Sequence, residues 1–334
     1  MKRILFLLLI VSATARVMAQ GPVYPKELTV TQDGSADNKT IYGTIQAAVN
    51  SVRDFGQKVT IHIKKGIYHE KLVVPAWKTQ ITLIGEDKDN TVITNADYSG
   101  KPNPGGKDMF GLPKFSTYTS YTVQVQGDDF TAENLTIENT AGRVGQAVAL
   151  DVEADRCRFI NCRLLGNQDT LYTSNENSRQ YYKDCYIEGT TDFIFGEATC
   201  VFQSCTIRNL TPSFATAAST TVRQKFGFVL FDCKLIADTG IHKAYLGRPW
   251  RSFAKTVYIR CELGKHITPE GWNPWKGDAI FPDKDKTAFY AEYKSTGPGA
   301  NPEARAKWSH QLTDKEVKEY TLANIFKEWS PLTP

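Results

Sequence analysis

Five short segments of this chain repeat one pattern of apolar and polar positions. Phe159-Ile160-Asn161-Cys162-Arg163-Leu164 is the first; Tyr182-Lys183-Asp184-Cys185-Tyr186-Ile187 and Phe202-Gln203-Ser204-Cys205-Thr206-Ile207 follow. Leu230-Phe231-Asp232-Cys233-Lys234-Leu235 and Tyr258-Ile259-Arg260-Cys261-Glu262-Leu263 complete the set. A large apolar residue always stands three before the cysteine, and Leu or Ile two after it. The alternation is strand-like, because residues two apart on a strand face the same way. The cysteines step by 23, 20, 28 and 28 residues, a period that predicts a solenoid of short strands. A parallel β-helix fits best, since each coil stacks its strands and side chains on the next. A β-sandwich is the alternative, and repetition with position-specific identities disfavours it. Residues 130–137, 59–63 and 80–84 read as earlier, looser coils.

Helical spacing is confined to the ends. In residues 44–52, Ile45, Ala48, Val49 and Val52 share a helical face, with Thr44 as the N-cap. This helix would plug one end of the solenoid. Near the C-terminus, Thr313-Asp314-Lys315-Glu316 reads as a capping box ahead of Val317 and Tyr320. The expected class is therefore all-β, a solenoid with short helical end caps. Residues 101–111, rich in Gly and Pro, read as a long loop. No linker divides the chain, so one domain is expected over 22–334. Before it, Lys2 and Arg3 precede an apolar run at 4–11, and Val17-Met18-Ala19 follows. That is the layout of a signal peptide over 1–19, and it predicts secretion. The run is short for a membrane anchor, the competing reading.

The chain is 41% hydrophobic and 23% charged, enough apolar mass for a large core. Its formal net charge of +4 falls close to neutrality once Lys2, Arg3 and Arg16 leave with the leader. A nucleic-acid binder would carry a clear basic excess; a polyanion gripped locally remains compatible. All seven cysteines lie between Cys157 and Cys261. Export permits disulfides, but the odd count and the repeat favour a buried thiol ladder, Cys being small and at home in a core. No C-x-x-C pair or Cys/His cluster has zinc-ligand spacing.

The repeat makes two acids neighbours. Asp169 lies seven residues after Cys162, and Asp192 seven after Cys185. They share a station on consecutive coils, which stack about 4.8 Å apart. Two close carboxylates cannot both ionise freely, so one pKa rises. Gln146, 23 residues before Asp169, is assigned to the same stack, and Gln168 precedes Asp169 directly. Spacing alone is equally compatible with exposed turn residues repeated in a solenoid. The setting favours chemistry. Asp192 is followed by Phe193-Ile194-Phe195-Gly196, an apolar surround that perturbs an acid. Leu246-Gly247-Arg248-Pro249-Trp250 holds a guanidinium and an indole rigidly. Arg beside a carboxylate keeps it ionised, and Trp offers a flat platform for a sugar ring.

At this point a family resemblance emerges. Gly66-Ile67-Tyr68-His69-Glu70, Gly145-Gln146-Ala147-Val148-Ala149-Leu150, Gln168-Asp169-Thr170-Leu171-Tyr172, Asp192-Phe193-Ile194-Phe195-Gly196 and Leu246-Gly247-Arg248-Pro249-Trp250 resemble, in order, the motifs of pectin methylesterases (pectinesterases). Ala291-Glu292-Tyr293, Gly297-Pro298-Gly299-Ala300, Arg305, Trp308 and Leu312-Thr313 are similar to that family's closing segment. The likeness covers nearly the whole mature chain. It implies a right-handed parallel β-helix that hydrolyses methyl esters of galacturonate units in pectin, releasing methanol and pectate. The implied partner is methylesterified homogalacturonan, met by a monomer without metal, cofactor, nucleic acid or stable membrane insertion. By matching position, the resemblance makes Asp192 the nucleophile and Asp169 the general acid/base. Gln146 and Gln168 match the glutamines that stabilise the oxyanion, and Arg248 the arginine that orients the nucleophile. Trp250 and Phe195 match aromatics lining the sugar site, and Ser120 stands where the family often has a substrate-binding Thr or Ser. Residues 101–119 depart from the family pattern.

Two rival functions weigh less. Another pectin-active β-helix enzyme would need a Ca²⁺-binding acid cluster with a basic proton abstractor, or three close aspartates, and neither stands beside Gln168-Asp169. A catalytically dead carbohydrate-binding β-helix would be expected to lose Asp169, Asp192 or Arg248, and all three are present. A serine esterase would want G-x-S-x-G, which is absent.

Overall fold

A computed structural model describes residues 24–332; the signal peptide expected over 1–19 lies outside the described residues. The strands form three sheets of 12, 8 and 7 strands, and the paired strands run parallel throughout. Successive coils contribute one strand to each sheet in turn, as in Cys157–Ile160, Arg163–Leu165 and Leu171–Thr173. This is a parallel β-helix.

The repeat explains why the coils stack. Phe159, Tyr182, Phe202, Leu230 and Tyr258 stand opposite one another along the 12-stranded sheet. All are buried, and the rings of Phe159–Tyr182 and Tyr182–Phe202 stack at 4.9 and 4.8 Å. Leu164, Ile187, Ile207, Leu235 and Leu263 form a second buried column in the 8-stranded sheet. Between the columns the chain turns a corner at the residue before each cysteine. Asn161, Asp184, Ser204, Asp232 and Arg260 all adopt a positive φ of 50–54°. The left-handed region is costly for most side chains and least so for Asn and Asp, which accounts for Asn161, Asp184 and Asp232 but not for Ser204 and Arg260. The corner points each thiol inward. Cys162, Cys185, Cys205, Cys233 and Cys261 donate to carbonyls of the preceding coil at 3.3–3.5 Å. All seven cysteines are free and buried.

Helix α1, Ile45–Ser51, closes the N-terminal end, capped by Thr44 and burying Ile45, Ala48 and Val49. Glu70, the last residue of the Gly66–Glu70 motif, accepts from the backbone N–H groups of Ile45 and Gln46, each at 2.9 Å. That motif fastens the plug, placing a carboxylate at a helix start. The C-terminus is built differently from the expectation. Thr313 and Glu316 do hydrogen bond reciprocally, but only the 3-10 turn Glu316–Glu319 follows. Helix α2 comes later, at Leu322–Phe326, capped by Thr321. It covers a side of the solenoid, not its end. Ile325 and Phe326 pack with Tyr181, Val201, Val229 and Val257, which point away from the inward columns of the same strands. An apolar outer row requires such a cover. Among the described residues no helix is long and apolar enough to cross a membrane.

The closing segment is structural. Arg305 grips Glu292 at 2.6 and 3.2 Å and donates to the carbonyls of Gly299 and Pro269 at 2.8 and 2.9 Å. Both side chains are only 3% exposed. Removing one partner of a buried pair strands the other charge, at a cost of about 3–5 kcal/mol. Arg305→Leu is therefore expected to lower unfolding stability by about that amount in a denaturant titration. A loss under about 1 kcal/mol, the scale of an exposed pair, would contradict the network's structural role.

Candidate active site

Asp169 and Asp192 occupy the second corner of the coil, between the 8-stranded and 7-stranded sheets. Each stands two residues before a strand, and those strands pair Leu171 with Ile194. The two acids thus share one station, and their backbone N–H groups bond the next coil at Thr191 and Phe214. Both take positive φ, 65° and 50°, a conformation Asp tolerates better than most residues. They line a pocket of about 300 Å³ together with Gln146, Gln168, Arg248 and Trp250.

Gln146 does not stack on Asp169. It forms a parallel bridge with Gln168, 22 residues on. Farther along, Leu150 pairs with Leu171. The extra residue is absorbed at Ala149 and Leu150, whose N–H groups both donate to Thr170 at 2.8 and 3.1 Å, in the manner of a β-bulge. The pocket therefore holds two layers, a glutamine pair beside an aspartate pair.

Arg248 discriminates between the acids. Its Nε and Nη2 donate to Oδ1 and Oδ2 of Asp192 at 2.9 and 2.6 Å, a two-pronged charged contact. Its guanidinium lies 3.5 Å from the Trp275 ring centre and 4.0 Å from that of Phe214. Burial, and then the charge of Asp192, push Asp169 well above the usual carboxylate range. Burial also raises Asp192, but the Arg248 hydrogen bonds and charge, with a further contribution from Lys284, oppose it. A single proton shared by the pair thus belongs on Asp169, and the negative charge on Asp192.

The aromatic wall is a stack. Phe195 lies face to face with Tyr172 at 4.6 Å and meets the edge of Trp250 at 5.8 Å. Phe195 is 4% exposed and forms the floor, whereas Trp250 is half-buried at the rim. Ser120 is turned away. It is fully buried, its Oγ donating to Thr117 and accepting from the Val148 N–H. It braces the turn Thr117–Thr119, and Thr117 and Tyr118 from that turn line the pocket in its place. Trp275, which holds Arg248, was missed from sequence; its signal was an indole within Asn273-Pro274-Trp275-Lys276-Gly277. Lys284 lies below, its side chain fully buried, paired with Asp278 at 2.8 Å and 4.3 Å from the Trp275 ring centre. Among the described residues no group of three His, Cys, Asp or Glu could hold a metal ion.

Two stacked carboxylates, only one of them gripped by a guanidinium, and two side-chain amides around a small pocket suit acyl transfer through a carboxylate nucleophile. Residues 27–328 match the Pectinesterase family model. Probable pectinesterase/pectinesterase inhibitor 23 of Arabidopsis thaliana is 39% identical over 332 residues, which cover 94% of this chain and 54% of that protein. The chain thus spans about half the length of that relative. Pectin methylesterase PemA from Erwinia chrysanthemi superposes with a TM-score of 0.80 at 30% identity, over 94% of this chain and 100% of that one. A crystal structure of pectin methylesterase in complex with hexasaccharide VII also gives a TM-score of 0.80, at 29% identity and the same coverage. Repeat, corner acids and matched family point the same way: the chain belongs to the pectinesterase family.

Proposed function

We propose that this protein hydrolyses the methyl esters of galacturonate units in pectin, releasing methanol and pectate. The observation that carries this is the Arg248 fork on only one of two stacked acids, Asp192 and not Asp169. In the proposed mechanism ionised Asp192 attacks the ester carbonyl carbon at C6. The amide groups of Gln146 and Gln168 donate to the developing oxyanion. Asp169 gives its proton to the departing methoxide, and methanol leaves. The acyl group is then a mixed anhydride on Asp192. Asp169, now ionised, takes a proton from water, whose oxygen attacks the acyl carbon and frees Asp192. Neither metal nor cofactor is required. Trp250 and Phe195 serve as the sugar platform, and a related pectin methylesterase binds a hexasaccharide. The protein acts as a secreted monomer on methylesterified homogalacturonan.

Methanol release from highly methylated pectin by the purified mature protein tests this directly; no release would remove it. The pH profile carries more detail. Activity needs Asp192 ionised and Asp169 protonated, so kcat/KM falls as pH drops through the first pKa and again as pH rises through the second. Arg248→Met removes the group that lowers the Asp192 pKa. The acid limb is expected to move to higher pH, with kcat/KM reduced roughly 10²-fold or more by loss of two charged hydrogen bonds. An acid limb that stays put would detach Arg248 from Asp192.

A further inference from the structure

Lys284 belongs to no strand. It opens the 3-10 turn Lys284–Lys286, at the end of an irregular stretch, yet its side chain is 0% exposed. Three groups share its ammonium. Nζ donates to Oδ2 of Asp278 at 2.8 Å and to the Trp250 carbonyl at 3.4 Å, and lies 4.3 Å from the Trp275 ring centre. Asp278 is itself fixed, its Oδ1 accepting from the N–H groups of Ile280 and Phe281 at 3.0 and 3.2 Å. Apolar groups in place of a buried ion pair are often neutral or stabilising. A lysine buried behind two indoles of the reaction pocket therefore calls for a reason beyond stability.

Trp275 supplies that reason. It takes a φ of 51°, a left-handed conformation that is an outlier for a bulky residue and persists only where the surroundings impose it. Those surroundings include Asn273, whose Oδ1 accepts from the Trp275 N–H at 2.8 Å, and the Lys284 ammonium against the ring. The same ring carries the Arg248 guanidinium at 3.5 Å, and that guanidinium forks Asp192. Contacts thus run unbroken from Asp278 through Lys284, Trp275 and Arg248 to the carboxylate. A guanidinium that donates to only one of two stacked acids has to be aimed, and its aim is set in part by the ring it lies on.

We propose that Lys284 is a positioning residue for the esterase reaction: through Trp275 it fixes the Arg248 guanidinium in the orientation that forks Asp192. This inference rests on the esterase function above and adds to it a residue that acts from behind the pocket wall. The alternative is a plain stitch, an ion pair that fastens the irregular stretch to the solenoid. A stitch affects stability alone. A positioning residue also affects the rate, and it does so through Trp275.

Lys284→Met keeps the length of the stem and removes the ammonium. A shift of about 1 Å in a catalytic group can cost about 10²-fold, so kcat on pectin is expected to fall roughly tenfold or more. KM should hold within about twofold, since ground-state binding of the sugar is left in place. Trp275→Leu and the double variant complete a cycle. Where Lys284 acts through Trp275, the second substitution lowers kcat little once the first is made; effects that multiply would overturn the proposal. The Arg248 Nε–H signal, assigned by its loss in Arg248→Met, reads the same point by NMR without turnover. Its exchange with water is expected to be slow in the Asp192 fork and to quicken roughly tenfold in Lys284→Met. A Lys284→Met protein with native kcat and native Arg248 exchange, however unstable, would leave Lys284 as a stitch. Should Lys284→Met not fold, Asp278→Asn keeps the ammonium, loses its anchor and carries the same readouts. Slower turnover with faster exchange in that variant supports the proposal, and native values overturn it. A wild-type protein that releases no methanol would remove the esterase function, while the exchange arm would still decide the positioning.

Discussion

Replacing Asp192 by Asn is expected to abolish methanol release from pectin, by about 10⁴-fold or more, as loss of a covalent nucleophile does in other hydrolases. The amide keeps the shape of the side chain and loses the attacking charge. It also takes from Arg248 its ion-pair partner, so the variant must be shown to be folded before its rate is read. A folded Asp192→Asn protein with near-native turnover would remove the mechanism. Residual activity of a few per cent would argue for an activated water and no covalent step. Both the steady-state rate and any pre-steady-state burst should disappear together, because both begin with the same attack.

Asp169→Asn should be nearly as damaging for a different reason. Methoxide is a poor leaving group, and the variant has no acid to protonate it. General acid–base catalysis contributes roughly 10²–10⁴-fold, and in the proposed mechanism this residue is the acid of the first step and the base of the second. The two losses can be separated. An ester with a better leaving group needs little help to depart, so acylation should recover in part. Hydrolysis of the acyl-enzyme should remain slow, since no base activates water. A burst followed by a slow phase is the expected trace. Equal impairment on good and poor leaving groups would count against Asp169 as the acid.

Much of the fold was legible because a solenoid writes its geometry as a repeat. The cysteines and the columns headed by Phe159 and Leu164 could be counted off the chain, and the offset of seven put Asp169 beside Asp192. Counting failed where the coil changes length. Leu150 pairs with Leu171, 21 residues on, whereas Leu171 pairs with Ile194, 23 on. The bulge at Ala149 makes up only one of those two residues, so Gln146 falls opposite Gln168 and not Asp169, and no local residue preference marks that bulge. The inward turn of Ser120 was also hidden, since a hydroxyl at the end of a short turn serves the backbone and a ligand equally well. Trp275 and Lys284 lie in an irregular stretch with no repeat to register them. The side cover by α2 had a visible signal that was passed over. Tyr181-Tyr182, Val201-Phe202, Val229-Leu230 and Val257-Tyr258 are consecutive apolar pairs, and strands apolar on both faces must be covered on both.

The central claim is the division of labour imposed by Arg248: Asp192 attacks, and Asp169 carries the proton. The most direct test is to let Asp169→Asn react with an ester bearing a good leaving group, quench the accumulated intermediate with acid, and locate the acyl adduct by peptide mass spectrometry. The account predicts a galacturonyl adduct on Asp192, in the peptide containing Asp192-Phe193-Ile194-Phe195-Gly196, and none when Asp192 is also replaced. An adduct that survives the Asp192 replacement, or one found on any other side chain, would contradict it.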